Sequence, residues 1–361
     1  MKEKIDLSKK AIEMWNTFDT DQKSFWSDYF ELQTVSIEDI NKFSSYSHEY
    51  LYSLNNEEIT KVVFCIVVEI LRYNDMHKMN RAFFGNSGGL DSATVCALLS
   101  KAKKMAKDLG NDFDIISLGL PIYSNPEHDM RAKQTAQKFE ISHVLIENLD
   151  NVLKECKKSL SPLVEDFNFN EEEVRRGFGN VKARMRMIVN FFGTTQPGSY
   201  VVSTDNLSEL YMAFWTLMGD VGAFGPIQNI FKGLELPSIA FALGVPEETL
   251  GAKPTDGLEI HASLDEREGG DVDAFKGVQY PHLDAIICYA VKNGLMLDKD
   301  TFVTVPAGNI DSDFATQEVV DGLVRQMSSP GSVWKRKSGS IGTAICREDL
   351  GLSPLENITL V

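Results

Sequence analysis

The residues best suited to chemistry are gathered in one short run, Asn86-Ser87-Gly88-Gly89-Leu90-Asp91-Ser92. Its two glycines let the backbone come close to a ligand, so successive N–H groups and the N-terminus of a following helix can face a phosphate group. Glycine pairs also form ordinary turns between strands and helices, but the serines and the aspartate around this pair favour phosphate binding. No Gly-x-x-x-x-Gly-Lys-Ser/Thr pattern occurs in the sequence, so the run is not a Walker loop.

This run stands between a predicted strand and a predicted helix. Arg81 to Gly85 has the pattern of a buried strand, and Ser92 to Leu109 places apolar residues on one helical face, with Asp91 or Ser92 able to cap it. Further strands are predicted at Phe113 to Leu120, His143 to Ile146 and Tyr200 to Ser203, with helices at Glu127 to Phe139 and Asn206 to Leu217. The alternation predicts an α/β fold with a doubly wound, mostly parallel sheet flanked by helices, and ligands at the carboxyl ends of the strands.

The composition is that of an acidic globular protein. The 361 residues are 43% hydrophobic, which is ample for a large core, and carry a formal net charge of -16 with a pI near 4.9. This charge argues against nucleic-acid binding, which needs clustered excess Lys and Arg. We expect no membrane association, because the N-terminus lacks the apolar core of a signal peptide and the longest apolar run is interrupted by Glu69. The five cysteines are scattered and odd in number, so we expect reduced thiols and a cytoplasmic location.

Four segments outside the predicted sheet have distinct compositions. Residues 1–56 carry aromatic side chains among many charges and are predicted to be a helical N-terminal extension of unknown role, with residues 57–361 as the main domain. An apolar stripe from Glu57 to Tyr73 predicts a helix for core or dimer packing. The polar, glycine-rich stretch Gly251 to Phe275 is predicted to be a mobile loop, either a plain linker or a lid. The basic stretch Ser328 to Gly342 is either a segment that orders over bound anions or an exposed turn.

The glycine-rich run resembles the pyrophosphate loop of the ATP pyrophosphatases, enzymes that split ATP into AMP and pyrophosphate while adenylating a substrate. Later motifs are similar to those of one branch, the ammonia-dependent NAD synthetases, and occur in that family's order and near its spacing. They are Gly179 to Met187, Val201 to Glu209, Gly219-Asp220 with Pro226, Lys232, Pro254-Thr255, and Lys276 to Asp284. The resemblance runs from about Glu57 to Lys337 and implies the adenine nucleotide alpha hydrolase-like fold of that superfamily.

The resemblance implies a role for each matching residue. ATP would be bound by Ser87, Gly88, Gly89, Asp91, Ser92, Thr204, Lys232 and Thr255; Mg²⁺ by Asp91 and Glu209; and deamido-NAD by Arg184 and Lys335. Asp91 and Lys232 would be the catalytic residues. Two carboxylates together with ATP oxygens are enough ligands for Mg²⁺. For Lys182 and Arg186, which form an i,i+4 pair on a helix, we expect plain surface charge.

The implied activity is the ATP-dependent amidation of deamido-NAD by ammonia, carried out by a homodimer. Alternatives are another adenylating amidotransferase with the same loop, or a nucleotide-binding homologue that has lost turnover. The chain departs from the family at Trp215 to Met218, which lacks a frequent lysine, and at Val221 to Gly225, which lacks an acidic residue and an asparagine for the pyridine end of the dinucleotide. Gly119 to Tyr123 also lacks an adenosine-side arginine. About 80 residues precede the loop, too few for a typical glutaminase domain, so we expect free ammonia as the nitrogen source.

Overall fold

The computed structural model describes residues 5–43, 54–219, 221–255, 271–295, 304–305, 315–338 and 342–358. Its strands are β1 (Arg81–Gly85), β2 (Asp114–Gly119), β3 (Ser142–Leu145), β4 (Ser199–Val201), β5 (Phe224–Gly225) and β6 (Thr343–Ala344). The first four strands form a parallel sheet in the order β3-β2-β1-β4. Strands β5 and β6 pair in parallel, and a bridge between Val202 and Phe224 continues the sheet beyond β4. Strands β2 and β3 are added on one side of β1, and β4 is added on its other side. The gap between β1 and β4 is therefore the point at which the strand order reverses, where sheets of this kind bind ligands.

The helices of the described ranges surround this sheet. They are α1 (Ala11–Trp15), α2 (Thr20–Tyr29), α3 (Ile37–Phe43), α4 (Asn56–His77), α5 (Leu90–Asp108), α6 (Pro126–Lys138), α7 (Leu149–Asp166), α8 (Glu171–Gly193), α9 (Leu207–Met212), α10 (Leu236–Ala242), α11 (Glu247–Leu250), α12 (Asp271–Ala274), α13 (Tyr280–Lys292), α14 (Gln317–Ser328) and α15 (Pro330–Ser338). A short 3-10 helix follows at Leu355–Asn357.

Side chains of β1 alternate between two hydrophobic cores on opposite faces of the sheet. Ala82 and Phe84 are buried in a large cluster with α4 and α5, whereas Phe83 packs with Leu118 and Met185 in the cluster under α7 and α8. A third cluster joins α9, α13 and α14 beside the sheet. Helices therefore cover both faces, and the predicted doubly wound α/β fold is confirmed.

The helix predicted from Glu57 to Tyr73 is internal. It is α4, and Val63, Ile66 and Val67 on it are all 0% exposed. Helices α1 and α2 pack against it, with Trp26 and Phe64 joined at a ring-centroid distance of 4.8 Å. Of the two predicted roles, core packing is confirmed, and the alternative of a dimer surface is wrong because α1, α2, α5 and α10 already cover this helix.

Several predicted boundaries differ because a local backbone feature overrides the periodicity. Helix α5 is capped by Gly89, without a side-chain cap, so neither Asp91 nor Ser92 is its N-cap. Helix α9 ends early because Ala213 takes a left-handed φ of 52°. The basic stretch contains a helix, α15, and its start is signalled by Ser329, whose hydroxyl accepts from the Ser332 N–H at 3.2 Å. Helix α7 was not predicted.

Candidate active site

The glycine-rich run leaves β1 and enters α5 at the carboxyl end of the sheet, and Asn86 organises it. This side chain is 3% exposed, and its amide makes four hydrogen bonds. The amide nitrogen donates to Ser117 Oγ at 3.1 Å and to the Ala132 carbonyl at 3.0 Å. The amide oxygen accepts from the Gly88 N–H and from Ser92 Oγ, both at 3.2 Å. One buried amide therefore joins both ends of the loop to β2 and α6.

Gly88 is required by the backbone path of the loop. Its φ is +74°, and a Cβ at this position would lie 2.1 Å from the carbonyl oxygen of His128. The Gly88 carbonyl in turn accepts from Arg131 Nε at 3.0 Å. Helix α6 thus presses directly on the loop backbone, and only glycine leaves room for that approach.

The loop presents two hydroxyls and a helix N-terminus. Ser87 Oγ accepts from the Gly89 N–H at 3.3 Å and lies 3.2 Å from Ser92 Oγ. The first N–H groups of α5 have no partner within the helix, and the positive end of its dipole lies at the same point. This combination suits an anion with several oxygens, such as a pyrophosphate group.

Three carboxylates surround the ammonium group of Lys232 next to this loop. Lys232 Nζ lies 3.0 Å from Asp91 Oδ2, 3.3 Å from Glu209 Oε1 and 3.6 Å from Asp271 Oδ2. It also lies 4.5 Å from the centroid of the Tyr280 ring. Because Lys232 is only 7% exposed, these groups interact with little screening by solvent.

A capping box fixes two of these carboxylates relative to each other. Asn206 caps α9 by accepting from the Glu209 N–H at 3.1 Å, and Glu209 occupies the third helical position of the box. The Asn206 amide nitrogen then donates to Asp91 Oδ1 at 3.0 Å. The same asparagine therefore starts the helix that carries Glu209 and holds the carboxylate of Asp91.

The local charge balance changes the acidity of Glu209. Burial raises the pKa of Glu209 to about 7, with Lys232 lowering this pKa and Asp91 and Asp271 raising it. Three carboxylates against one ammonium group leave an excess of negative charge. The site therefore holds a proton at Glu209 more tightly than an ordinary glutamate does, and a second cation would relieve the same repulsion.

A cavity of about 500 Å³ lies over these groups. Of the residues predicted from the sequence, eight line it: Ser87, Gly89, Asp91, Thr204, Glu209, Lys232, Thr255 and Lys335. Gly88 and Ser92 do not line it and instead hold the loop from behind. The structure thus brings together residues from the loop after β1, the start of α5, the segment after β4, α9, the segment between β5 and α10, the segment after α11, and α15.

Arg184 lies outside this cavity, and its helical neighbour Arg186 lines it. Arg184 is exposed on α8, and its Nε donates to the Leu217 carbonyl at 3.2 Å. Arg186 Nε donates to the Leu120 carbonyl at 3.2 Å, and Lys182 is 4% exposed. The expectation of plain surface charge for Lys182 and Arg186 is therefore wrong, because α8 turns that face toward the sheet.

Lys335 reaches the cavity from α15. Its Nζ donates to the Ala213 carbonyl at 2.7 Å and lies 5.0 Å from the centroid of the Trp215 ring. The adjacent Arg336 donates to the Tyr211 carbonyl at 2.8 Å. Both cations thus sit at the C-terminal end of α9, where the helix dipole favours positive charge.

Sequence reasoning missed several residues that build the site, among them Asn86, Arg131, Asn206 and Asp271. The Asn-x-x-Glu pattern at Asn206 was a visible capping-box signal. Asp271 had no such signal, because it is one of several acidic residues within the predicted mobile loop. Most of that loop (residues 256–270) lies outside the described residues, as does Asp220.

Two general expectations can be compared with the structure. No helix in the described ranges is both long enough and apolar enough to cross a membrane. The five cysteines are free thiols; Cys65, Cys96 and Cys288 are buried, Cys156 is half-buried and Cys346 is exposed.

Comparisons with known proteins agree with one another. The NAD synthase family model matches residues 65–309. The NH(3)-dependent NAD(+) synthetase of Pyrococcus horikoshii is 32% identical over 225 residues, which is 62% of this chain and 76% of that protein. NMN synthetase from Francisella tularensis superposes with a TM-score of 0.53 at 21% identity, over 77% of this chain and 94% of that one. The NH3-dependent NAD synthetase of Campylobacter jejuni gives a TM-score of 0.53 at 20% identity, over 77% and 96%. The two structures show likeness of fold.

Proposed function

The chain belongs to the NAD synthase family, and we propose on that premise that it makes NAD by amidating deamido-NAD. The nicotinate carboxylate attacks the α-phosphorus of ATP and pyrophosphate leaves, which gives an acyl adenylate. Ammonia then attacks the acyl carbon, and AMP leaves as the amide forms. The activity named for the 32% identical relative supports this assignment.

The observation that carries the proposal is the placement of Lys232 between the pyrophosphate-type loop and three carboxylates. Its ammonium group, 3.0 Å from Asp91 Oδ2, lies beside the helix N-terminus that the loop enters. Negative charge develops on the pyrophosphate as it leaves, so an ammonium group and a helix N-terminus fixed there lower the barrier. Positioning and charge neutralisation are the main requirements of this chemistry.

We assign the remaining contacts to the two substrates by their place around the cavity. Ser87 and Gly89 bind the β- and γ-phosphates of ATP, with Gly88 and Ser92 shaping the loop. Thr204 and Thr255, which also line the cavity, bind the rest of ATP. Lys335 binds deamido-NAD from α15, and Arg184 binds the part of the dinucleotide that extends outside the cavity.

Mg²⁺ fits the oxygen ligands of this site. Asp91 and Glu209 would hold it, and the buried Asp271 Oδ1 has no hydrogen-bond partner among the described residues. Mg²⁺ commonly takes its other ligands from phosphate and water, so one or two carboxylates are enough protein ligands. When bound, Mg²⁺ neutralises phosphate charge. The residues themselves set the carboxylates in place through Asn206 and Lys232.

We propose that the protein acts as a homodimer in the cytoplasm. Exposed apolar side chains on α7 and α8 support a dimer surface there: Leu163 is 47% exposed, Phe167 67%, Ile188 65% and Phe192 75%. An apolar patch of this kind on a folded chain usually marks a protein interface. A two-fold pair is the commonest arrangement of identical subunits. The free thiols support a reducing compartment.

One assay tests the proposed reaction. The purified chain is incubated with ATP, Mg²⁺, deamido-NAD and ammonium, and AMP and NAD are measured by chromatography. We expect equal amounts of AMP and NAD, a rate that rises with ammonium and with pH as NH₃ becomes available, and no NAD with glutamine alone. Nicotinate mononucleotide is offered in parallel, because Arg184 lies outside the cavity and the length of the acceptor therefore needs a direct test.

The alternatives give different results in the same assay. An adenylating enzyme for another acceptor would leave both pyridine nucleotides unchanged and release AMP only with its own substrate. A homologue without turnover would bind ATP in calorimetry yet release no AMP at any ammonium concentration. Glutamate release matching NAD formation would refute ammonia as the direct nitrogen source.

A further inference from the structure

A fully buried carboxylate behind the site, that of Asp284 on α13, connects the segments that carry Glu209 and Lys232. Asp284 is 0% exposed. Its Oδ1 accepts from Ser208 Oγ at 2.5 Å, and its Oδ2 accepts from the Gly233 N–H at 2.7 Å and the Leu234 N–H at 3.1 Å. One carboxyl group therefore binds a hydroxyl and two backbone N–H groups at once.

Two of the three partners of Asp284 are next to a residue of the site. Ser208 precedes Glu209, and Gly233 follows Lys232. The Lys232 N–H also donates to Ser208 Oγ at 3.0 Å. One chain of hydrogen bonds therefore runs from the carboxylate through the hydroxyl to the lysine backbone, and it fixes the two segments relative to each other.

Close packing confirms that α13 is held against the lysine segment. A Cβ on Gly233 would lie 2.3 Å from the Pro281 nitrogen, so this contact requires glycine. Tyr280, at the start of the same helix, places its ring 4.5 Å from Lys232 Nζ and donates its hydroxyl to Asp271 Oδ2 at 2.8 Å. Helix α13 thus contacts the ammonium group of Lys232 through Tyr280 and the backbone after Lys232 through Pro281 and Asp284.

This carboxylate is costly to bury. Burial raises the pKa of Asp284 to about 8, while the bonds from Ser208, Gly233 and Leu234 oppose that increase. An apolar side chain would fill a core position without this cost. What an apolar side chain could not do is bind a hydroxyl and two backbone N–H groups at once.

We propose that Asp284 is a positioning residue, which acts through Ser208 and the Gly233 and Leu234 amides to hold the Lys232 ammonium group beside Glu209 and Asp91. With no exposed surface, it does not touch substrate. The consequence for catalysis rests on the proposed function, whereas the consequence for the position of Lys232 does not.

The test compares Ser208→Ala, Asp284→Asn and the double variant with a matched control, Ser238→Ala. Ser238 is similarly buried at 1% exposure, and its hydroxyl donates to the Glu235 carbonyl at 2.8 Å, outside the hydrogen bonds that join Asp284, Ser208 and Lys232. Lys232 is labelled with an amine-reactive acetylating reagent, and its rate is measured by peptide mass spectrometry relative to the exposed Lys78. We expect Lys232 to react about fivefold faster in both single variants, the scale of one lost hydrogen bond, and at the wild-type rate in Ser238→Ala.

Kinetics supply the second measurement. In the single variants kcat should fall at least about tenfold with smaller changes in the KM for ATP, because the ammonium group acts mainly on the leaving pyrophosphate. The double variant should lose no more than the more damaged single variant, since both act through one chain of bonds.

Failure of the two proposals can be told apart. If wild-type protein makes no NAD, the proposed function fails, and the labelling rates still decide whether Asp284 positions Lys232. If the variants fold and Lys232 is labelled at the wild-type rate, the positioning role is refuted. It is also refuted if the loss of kcat in the double variant equals the sum, in free energy, of the losses in the two single variants. If Asp284→Asn does not fold, Ser208→Ala, which keeps the carboxylate, decides the question alone.

Discussion

Replacing Glu209 by glutamine should make the protein more stable and much less active. The native environment raises the pKa of Glu209 from its ordinary 4.5 to about 7, chiefly through burial. The folded state therefore binds this proton more tightly than the unfolded state, and wild-type stability falls as pH rises from about 4.5 to about 7. Glutamine cannot ionise, so the stability of Glu209→Gln should not fall over this pH range. The variant keeps a side-chain oxygen that can accept from Lys232.

The size of the effect follows from the shift. A change of about 2.5 pH units at 1.36 kcal/mol per unit corresponds to about 3 kcal/mol. The Glu209 side chain is 17% exposed, so screening by solvent reduces this to about 1–3 kcal/mol at pH 8. An unfolding entropy of about 2.1 cal/mol/K per residue over the whole chain gives about 1.3 °C for each kcal/mol. The melting temperature of Glu209→Gln should therefore exceed that of wild type by about 1–4 °C at pH 8.

The assay is thermal unfolding of both proteins from pH 5 to pH 8, without added nucleotide or divalent cation. Glu173→Gln is the matched control, because Glu173 holds the same third position of a capping box, at the exposed start of α8. We expect its difference from wild type to be small and independent of pH. Turnover of Glu209→Gln should fall by more than about tenfold. If the stability difference between Glu209→Gln and wild type is absent, or shrinks as pH rises, the pKa of Glu209 is not raised in the folded protein.

Three further predictions test the loop, the dimer and the dinucleotide contact. Gly88→Ala should abolish measurable ATP binding in calorimetry, whereas Gly110→Ala, with a φ of +80° but no atom within 4 Å of a new Cβ, should cost only about 1 kcal/mol of stability and bind ATP normally. Phe192→Asp should convert a dimer to a monomer by light scattering, and Phe25→Asp, at an exposed position in α2, should leave the dimer intact; a wild-type monomer at micromolar concentration would contradict both. Lys335→Met should raise the KM for deamido-NAD by about tenfold, or about 1.4 kcal/mol, and that for ATP much less; equal changes would refute the assignment.

The positions of the central strands along the chain and the position of the loop could be predicted because both depend on local signals. The strand at Arg81–Gly85 is confirmed at both ends, since an apolar run stops where glycines begin. The other three strands of the main sheet are confirmed to within two residues at each end. Alternation of strands and helices was enough to give a parallel sheet, and a parallel sheet places the loop at its ligand-binding edge.

The direction in which side chains of α8 point could not be predicted from the sequence. Arg184 and Arg186 have similar chemistry and lie two residues apart, so they occupy different faces of one helix. The periodicity separates them but does not say which face meets the sheet. That choice depends on the packing of α7 and α8 over Phe83 and Met185, contacts between segments about 100 residues apart in the chain. The same limitation hid Asp271, which reaches Lys232 only after the fold is complete.

The acidity of the whole chain does not extend to the cavity. Among the described residues that line it, six are basic and five acidic, whereas the chain as a whole has a net charge of -16. Three of the acidic residues gather at Lys232. The remaining lining residues include five basic side chains, Arg131, Arg176, Arg186, Lys253 and Lys335, and only two more carboxylates, those of Asp129 and Asp205. The cavity is thus divided into a carboxylate-rich centre that favours a cation and surrounding walls that favour phosphate groups. A polyanionic nucleotide accompanied by a divalent cation would match both parts, so the net charge of the chain does not conflict with the proposed substrate.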